Sequence, residues 1–153
     1  RSMQPLAPGV HCQRLGESLT ANAWELGHVM FEDGVPTGPA VLSYQACQDL
    51  TSYWRSSARE KSNPTKEQVV AVHVLSHETA HLTGVVSESE AECWAVQYDA
   101  RTAQQLGATA AQGRALADRY WREVYPRMPD AYRTAECAPN TRLDRTKNDG
   151  IWP

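Results

Sequence analysis

The spacing of apolar residues along the chain changes near residue 46. Before that point, short runs rich in β-branched and aromatic residues predict two strands, at 23–31 and 40–44. The segment 32–39 between them holds two Gly and two Pro, and it predicts a turn. From Cys47 onward, apolar positions recur with the period of a helix. The pattern therefore predicts a small N-terminal β-sheet followed by a helical core.

Four helices are expected, with polar or Gly- and Pro-containing connections between them. Their predicted limits are residues 46–59, 65–84, 88–106 and 112–125. The segment 126–153 is expected to be an extended tail that Cys137 and Trp152 attach to the core. We interpret 1–153 as one domain with a β-rich part (1–46), a helical core (47–125) and this tail.

The second helix has the strongest start and stop signals. Thr65 and Gln68 have the spacing of a capping box, and Gly84 is suited to the left-handed position after the helix. Apolar residues occupy nearly all sides of its first half, which predicts a helix buried at the centre of the domain. Ser87 and Glu90 repeat the capping-box spacing before the third helix.

Composition excludes several classes of protein. The 153 residues are 41% apolar with a net charge of −3, which favours a folded domain over a disordered chain. There is no run of about 18 apolar residues, so no membrane span is expected. A basic cluster is also lacking, and nucleic acid is therefore not an expected partner.

The four cysteines include no Cys-x-x-Cys pair, which favours two disulfides over a thiolate metal site. Among three possible pairings, we expect Cys12–Cys47 and Cys93–Cys137. Disulfides are typical of oxidising compartments. The chain begins without the apolar segment of a signal peptide, so it is either a mature or trimmed form or a protein not exported by that route. From the disulfides we expect a secreted or periplasmic protein.

The second helix contains His77-Glu78-Thr79-Ala80-His81, an HExxH motif. Histidines at i and i+4 project from one face, so both imidazoles can bind one ion. The intervening Glu78 lies beside that face, where it can act as a general base on a water molecule. These residues predict a zinc site with catalytic chemistry.

A third ligand is needed, and since no histidine follows His81, it is either an earlier histidine (His11, His28 or His73) or a carboxylate from the next helix. Glu88 and Glu92 share one face of that helix, whereas Glu90 is expected to cap Ser87. A tight hairpin through Gly84 would return this face to the two histidines. Either Glu88 or Glu92 can be the third ligand.

The motif with a following Glu-x-x-x-Glu resembles the gluzincin metallopeptidases, the thermolysin-like group. The resemblance covers residues 69–100. It implies a mainly helical α+β zincin-like fold that hydrolyses peptides or proteins, with zinc held by His77, His81 and Glu88. Glu92 would then orient a ligand histidine through a hydrogen bond. A metzincin motif would require a third ligand at Ser87, and serine does not fit that role.

Other residues are candidates for supporting roles. Donors for the substrate oxyanion are sought among His28, His73, Tyr98 and Tyr132. His73 is expected either to support the ligands or to face solvent. Asp99 can bond a ligand histidine, although a helical acid near Arg101 is by default a surface charge. Tyr120 is expected to be a packing residue. The alternative to an enzyme is a non-catalytic zinc-binding or interaction domain, closed by both Glu88 and Glu92.

Overall fold

The computed structural model describes residues 9–20, 25–147 and 150–153, and it shows the expected α+β, mainly helical fold. The strands are β1 (Val10–Cys12), β2 (Gly27–Glu32) and β3 (Val35–Leu42). The α-helices are α1 (Leu15–Thr20), α2 (Tyr44–Arg55), α3 (Ala58–Lys61), α4 (Lys66–Leu82), α5 (Glu88–Gln105) and α6 (Ala110–Glu123). Two 3₁₀ turns follow at Tyr125–Arg127 and Asp130–Tyr132.

The three strands form one sheet in the order β1-β3-β2. β1 runs parallel to β3, and β2 runs antiparallel to it. Asp33 and Gly34 connect β2 to β3, and their φ angles of 50° and 77° fit a two-residue hairpin turn. β2 therefore lies at an edge of this sheet.

The predicted turn over 32–39 is wrong beyond Gly34, because β3 begins at Val35. Pro36 and Pro39 suggest a turn in the sequence, but both belong to β3 and precede Ala40, where its described pairing with β1 begins. Among the described residues, this part of β3 pairs with β2 alone, and such a position tolerates a missing backbone donor. The predicted first strand begins later than expected, at Gly27, and residues 23–24 lie outside the described ranges.

The predicted helix over 46–59 is interrupted after Arg55. Ser57 starts α3 through a capping box with Glu60, so the chain changes direction there. The buried Lys61 ammonium donates to the carbonyl oxygens of Tyr53 and Ser56, each at 2.7 Å. The lysine thus adds to the hydrogen bonds that the Ser56 backbone and hydroxyl already donate to the Tyr53 carbonyl at the end of α2.

The remaining helices begin and end close to their predicted limits. The Thr65–Gln68 capping box is present, and Gly84 has a φ of 98° after α4. At α5, the Ser87 side chain accepts from the Glu90 backbone, but the Glu90 carboxylate pairs with Arg142 instead of closing the box. α6 begins two residues earlier than predicted, because Thr109 and Gln112 form a capping box.

α4 occupies the centre of the molecule, with α5 on one side and the sheet and α2 on another. The buried core residues around it include Val69, Val72, Val96, Leu116 and Tyr120. Both predicted disulfides are present: Cys12–Cys47 joins β1 to α2, and Cys93–Cys137 joins α5 to the tail. Trp152 packs edge-on against Trp121, which attaches the end of the tail to α6.

None of the helices in the described ranges combines the length and the apolar character needed to cross a membrane.

α5 and α6 approach closely at Gly113. A Cβ atom at this position would lie 2.5 Å from the carbonyl oxygen of Ala100 in α5. Backbone atoms cannot yield as side chains do, so glycine is required here for space between the helices.

Replacing Gly113 with alanine should therefore destabilise the protein, although alanine ordinarily favours a helix. We expect a loss of about 1–3 kcal/mol from overpacking, measured by thermal or urea unfolding. Gly16→Ala in α1 is the control, because open space surrounds that position. Equal stability of the two variants would contradict this account of the α5–α6 contact.

Candidate metal centre

The hairpin between α4 and α5 brings the predicted site residues together. Gly84 ends α4, Ser87 starts α5, and α5 packs back along α4. Glu88, in the first turn of α5, consequently faces His77 and His81 in the second half of α4. The hairpin that the sequence predicted is confirmed.

Three potential ligand atoms converge at this point. His77 Nε2 lies 3.0 Å from His81 Nε2 and 3.0 Å from Glu88 Oε2, and His81 Nε2 lies 3.4 Å from Glu88 Oε2. Ligand atoms on a tetrahedral zinc, each about 2.0–2.1 Å from the ion, would be separated by about 3.3 Å. His77, His81 and Glu88 are thus placed so that they can hold a metal ion.

The opposite ring nitrogens are engaged in hydrogen bonds. His77 Nδ1 lies 3.0 Å from Glu92 Oε2, and His81 Nδ1 lies 2.6 Å from the carbonyl oxygen of Val85. Because each acceptor favours a proton on Nδ1, both Nε2 atoms are turned towards each other and towards the Glu88 carboxylate. One proton can be shared by only two of these three atoms at a time, whereas a metal cation can bind all three.

The protein favours positive charge at this position. Burial opposes protonation of His77, but hydrogen bonds to Glu88 and Glu92 raise its pKa to about 9. Hydrogen bonds from His77 and His81 lower the pKa of Glu88 to about 2. In the absence of a metal, a proton is therefore held where a cation would bind.

A second group, His73, His77 and Glu92, is also close enough to hold a metal ion. However, His73 Nδ1 lies 2.8 Å from Asp99 Oδ2, and its Nε2 lies 3.0 Å from Glu92 Oε2. Burial opposes protonation, yet the charges of Asp99 and Glu92 raise the pKa of His73 to about 10. Protons on both nitrogens leave no lone pair for a metal, so this group is better explained as a hydrogen-bonded chain.

Glu92 is the centre of that chain. Its Oε2 faces both His73 and His77, and its Oε1 accepts a 2.6 Å hydrogen bond from the Tyr120 hydroxyl. The His73 ring stacks on Tyr120 with 3.5 Å between centroids. Although burial acts in the other direction, the His73 charge and these hydrogen bonds hold the pKa of Glu92 well below its usual range.

The sequence predicts other roles for two residues of this hydrogen-bonded chain, Asp99 and Tyr120. Asp99 is fully buried, so its default assignment as a surface charge is wrong. Tyr120 packs in the core as predicted, but it also donates to Glu92. The spacing of these residues could have indicated the hydrogen-bonded chain. His73 precedes His77 by four residues and Asp99 follows Glu92 by seven, so each pair lies on one helical face.

Glu78 lies beside the converging ligand atoms and is only 3% exposed. Burial raises the pKa of its carboxyl to about 7, although the neighbouring His77 and His81 act in the opposite direction. Its Oε2 is buried and has no hydrogen-bond partner among the described residues. An acceptor in this state is suited to exchanging a proton with a molecule in the adjoining cleft.

The site opens into a cleft of about 260 Å³ between β2 and α4. Phe31 contacts His81 edge-on, with ring centroids 5.8 Å apart, and the Tyr132 ring lies 5.9 Å from that of His77. His28 also lines the cleft, whereas Tyr98 stacks on Trp94 and is not among the cleft residues.

His73 borders the same cleft, but its two nitrogens are occupied by carboxylates. Of the four predicted oxyanion donors, His28 and Tyr132 thus remain best placed.

Comparisons with protein-family models, with curated proteins and with solved structures give no significant match. The likeness to gluzincins therefore rests on the residues of one helical hairpin. Function has to be inferred from the chemistry of these side chains.

The hydrogen-bonded chain should strengthen metal binding by orienting His77. Glu92→Gln removes the charged acceptor, and we expect the dissociation constant for zinc to rise by about 10–100-fold. Competition with a chromogenic chelator measures this change, with circular dichroism to establish that the variant is folded. Glu90→Gln is the matched control, because Glu90 pairs with Arg142 at the surface. Similar affinities in both variants would refute the orienting role of Glu92.

Proposed function

We propose that this protein is a zinc-dependent metallopeptidase, with His77, His81 and Glu88 as the zinc ligands. The observation that carries the proposal is the convergence of two Nε2 atoms and one carboxylate oxygen within 3.4 Å. Two histidines and a glutamate form a donor set used by catalytic zinc sites, which keep a further position open for water or substrate.

The choice of Glu88 over Glu92 follows from their surroundings. Glu92 is 1% exposed and its oxygens accept hydrogen bonds from Tyr120 and two histidines, whereas the Glu88 side chain is 48% exposed and, among the described residues, pairs with His77 and His81. Glu88 can therefore bind an ion without breaking a buried network. The alternative, a closed non-catalytic site with both glutamates as ligands, would have to break it.

Zinc, when bound, would supply a Lewis acid that polarises a carbonyl group and makes water more acidic. Glu78 would take a proton from the attacking water and deliver it to the leaving amine. A carboxyl whose pKa is raised towards neutrality is suited to moving a proton in both directions. The Tyr132 hydroxyl and the His28 ring are the candidates for hydrogen bonding to the substrate oxyanion.

A peptide substrate is favoured by the position of β2. This strand lines the cleft, and among the described strands it pairs with β3 alone. Its other edge can accept an extended peptide through backbone hydrogen bonds, as sheet edges do in peptide recognition. Such a peptide would cross the cleft beside Glu78 and the zinc ligands.

The two disulfides support a proposed location outside the cytoplasm, in a secreted or periplasmic setting.

Zinc binding is the first test of the proposal. The purified protein should hold one zinc ion per chain after EDTA treatment and reconstitution, as measured by atomic spectroscopy. Glu88→Ala should bind zinc far more weakly, because one of three protein ligands is lost. Glu90→Ala on the same helix turn should retain the ion. No zinc bound at micromolar concentration would refute the proposed centre.

The catalytic role of Glu78 is tested by Glu78→Gln, which keeps the shape of the side chain but removes its basicity. Cleavage of an unstructured protein should fall by about 10²–10⁴-fold, with zinc content unchanged. Glu67→Gln, in the first turn of the same helix, is the control and should keep full activity. Undiminished cleavage by Glu78→Gln would exclude Glu78 as the general base.

A further inference from the structure

Gly27 on β2 lies directly against the Glu78 side chain. A Cβ atom built on Gly27 would be 2.8 Å from Glu78 Oε1, 2.9 Å from Cγ and 3.0 Å from Cδ. These separations are below the ordinary contact distance of carbon with carbon or oxygen. The Glu78 carboxylate therefore occupies space that any other residue at position 27 would fill.

Backbone conformation does not explain the glycine. Gly27 is absent from the residues with positive φ, so its extended conformation is open to any amino acid. The lack of a side chain consequently provides room, and the group that uses this room is the Glu78 carboxylate.

Neither backbone can readily withdraw from this contact. Gly27 pairs with the fully buried Leu42 of β3, and the backbone N–H of Ser43 donates to the Leu26 carbonyl oxygen at 2.8 Å. Glu78 lies in the interior of α4, between two buried histidines. A side chain added at position 27 would thus displace the Glu78 side chain rather than the strand or the helix.

We propose that Gly27 is a positioning residue, which sets the location of the Glu78 carboxylate through a steric limit on the β2 side. This inference rests on the proposed function, in which Glu78 is the general base. Glu78 Oε2 has no hydrogen-bond partner among the described residues, so hydrogen bonds do not fix that oxygen. The close approach of Gly27 instead limits how far the carboxylate can lie towards β2.

Gly27→Ala in the zinc-loaded protein tests the proposal. We expect kcat for a fluorogenic peptide to fall by about 10–100-fold, because displacing a catalytic group by about 1 Å can have an effect of this size. The dissociation constant for zinc should change less than about threefold, since no ligand is touched. Gly9→Ala is the matched control, because nothing surrounds a Cβ atom at that position. Unchanged kcat, or loss of zinc binding equal to the loss of activity, would overturn the inference.

A crystal structure of the Gly27→Ala variant gives a readout independent of activity. The Glu78 carboxylate should move by at least about 0.5 Å away from β2, with the ligand histidines in place, since contacts below about 3.5 Å must open. A carboxylate that has not moved would overturn the positioning role.

Failure of the proposed function has a different signature. If the wild-type protein cleaves no peptide while Glu78 moves in the variant, the peptidase proposal fails and the steric contact stands.

Discussion

The structure depends on the meeting of two imidazole Nε2 atoms and one carboxylate oxygen at the α4–α5 hairpin. Three electron-rich atoms within 3.4 Å repel one another unless a positive charge lies between them. Hydrogen bonds from His77 Nδ1 to Glu92 and from His81 Nδ1 to Val85 turn both Nε2 atoms towards Glu88. The site consequently favours a cation between the three atoms. The fold around the hairpin therefore maintains a position that favours positive charge, and hydrogen bonds to Glu88 and Glu92 raise the pKa of His77 there to about 9.

The hydrogen-bonded chain of Asp99, His73, Glu92 and Tyr120 explains how the arrangement persists. Buried charges are costly unless they are paired, and here two carboxylates enclose one imidazolium. These hydrogen bonds join α4 to α5. One of them, from His77 Nδ1 to Glu92, orients the His77 ring so that its Nε2 faces Glu88. The disulfide from Cys93 anchors the same helix one residue beyond Glu92, which connects the candidate metal centre to the tail.

Short sequence motifs predicted the ends of the central helices and the two histidines of the candidate site. The capping residues Thr65 and Ser87 and the left-handed Gly84 define the hairpin, and the i, i+4 histidines define the candidate site. The prolines of β3 were misleading because they precede Ala40, where the described pairing of β3 with β1 begins. The burial of Asp99 and the contact of Gly27 with Glu78 depend on tertiary packing, which no single segment of the sequence encodes.

A crystal structure of the zinc-loaded protein, with anomalous data collected at the zinc edge, would identify the ligands directly. We expect one zinc ion bound by His77 Nε2, His81 Nε2 and Glu88, each at about 2.0–2.2 Å, with a fourth position open to solvent. Zinc bound by His73, His77 and Glu92, or closed by a fourth protein ligand, would refute the proposed centre.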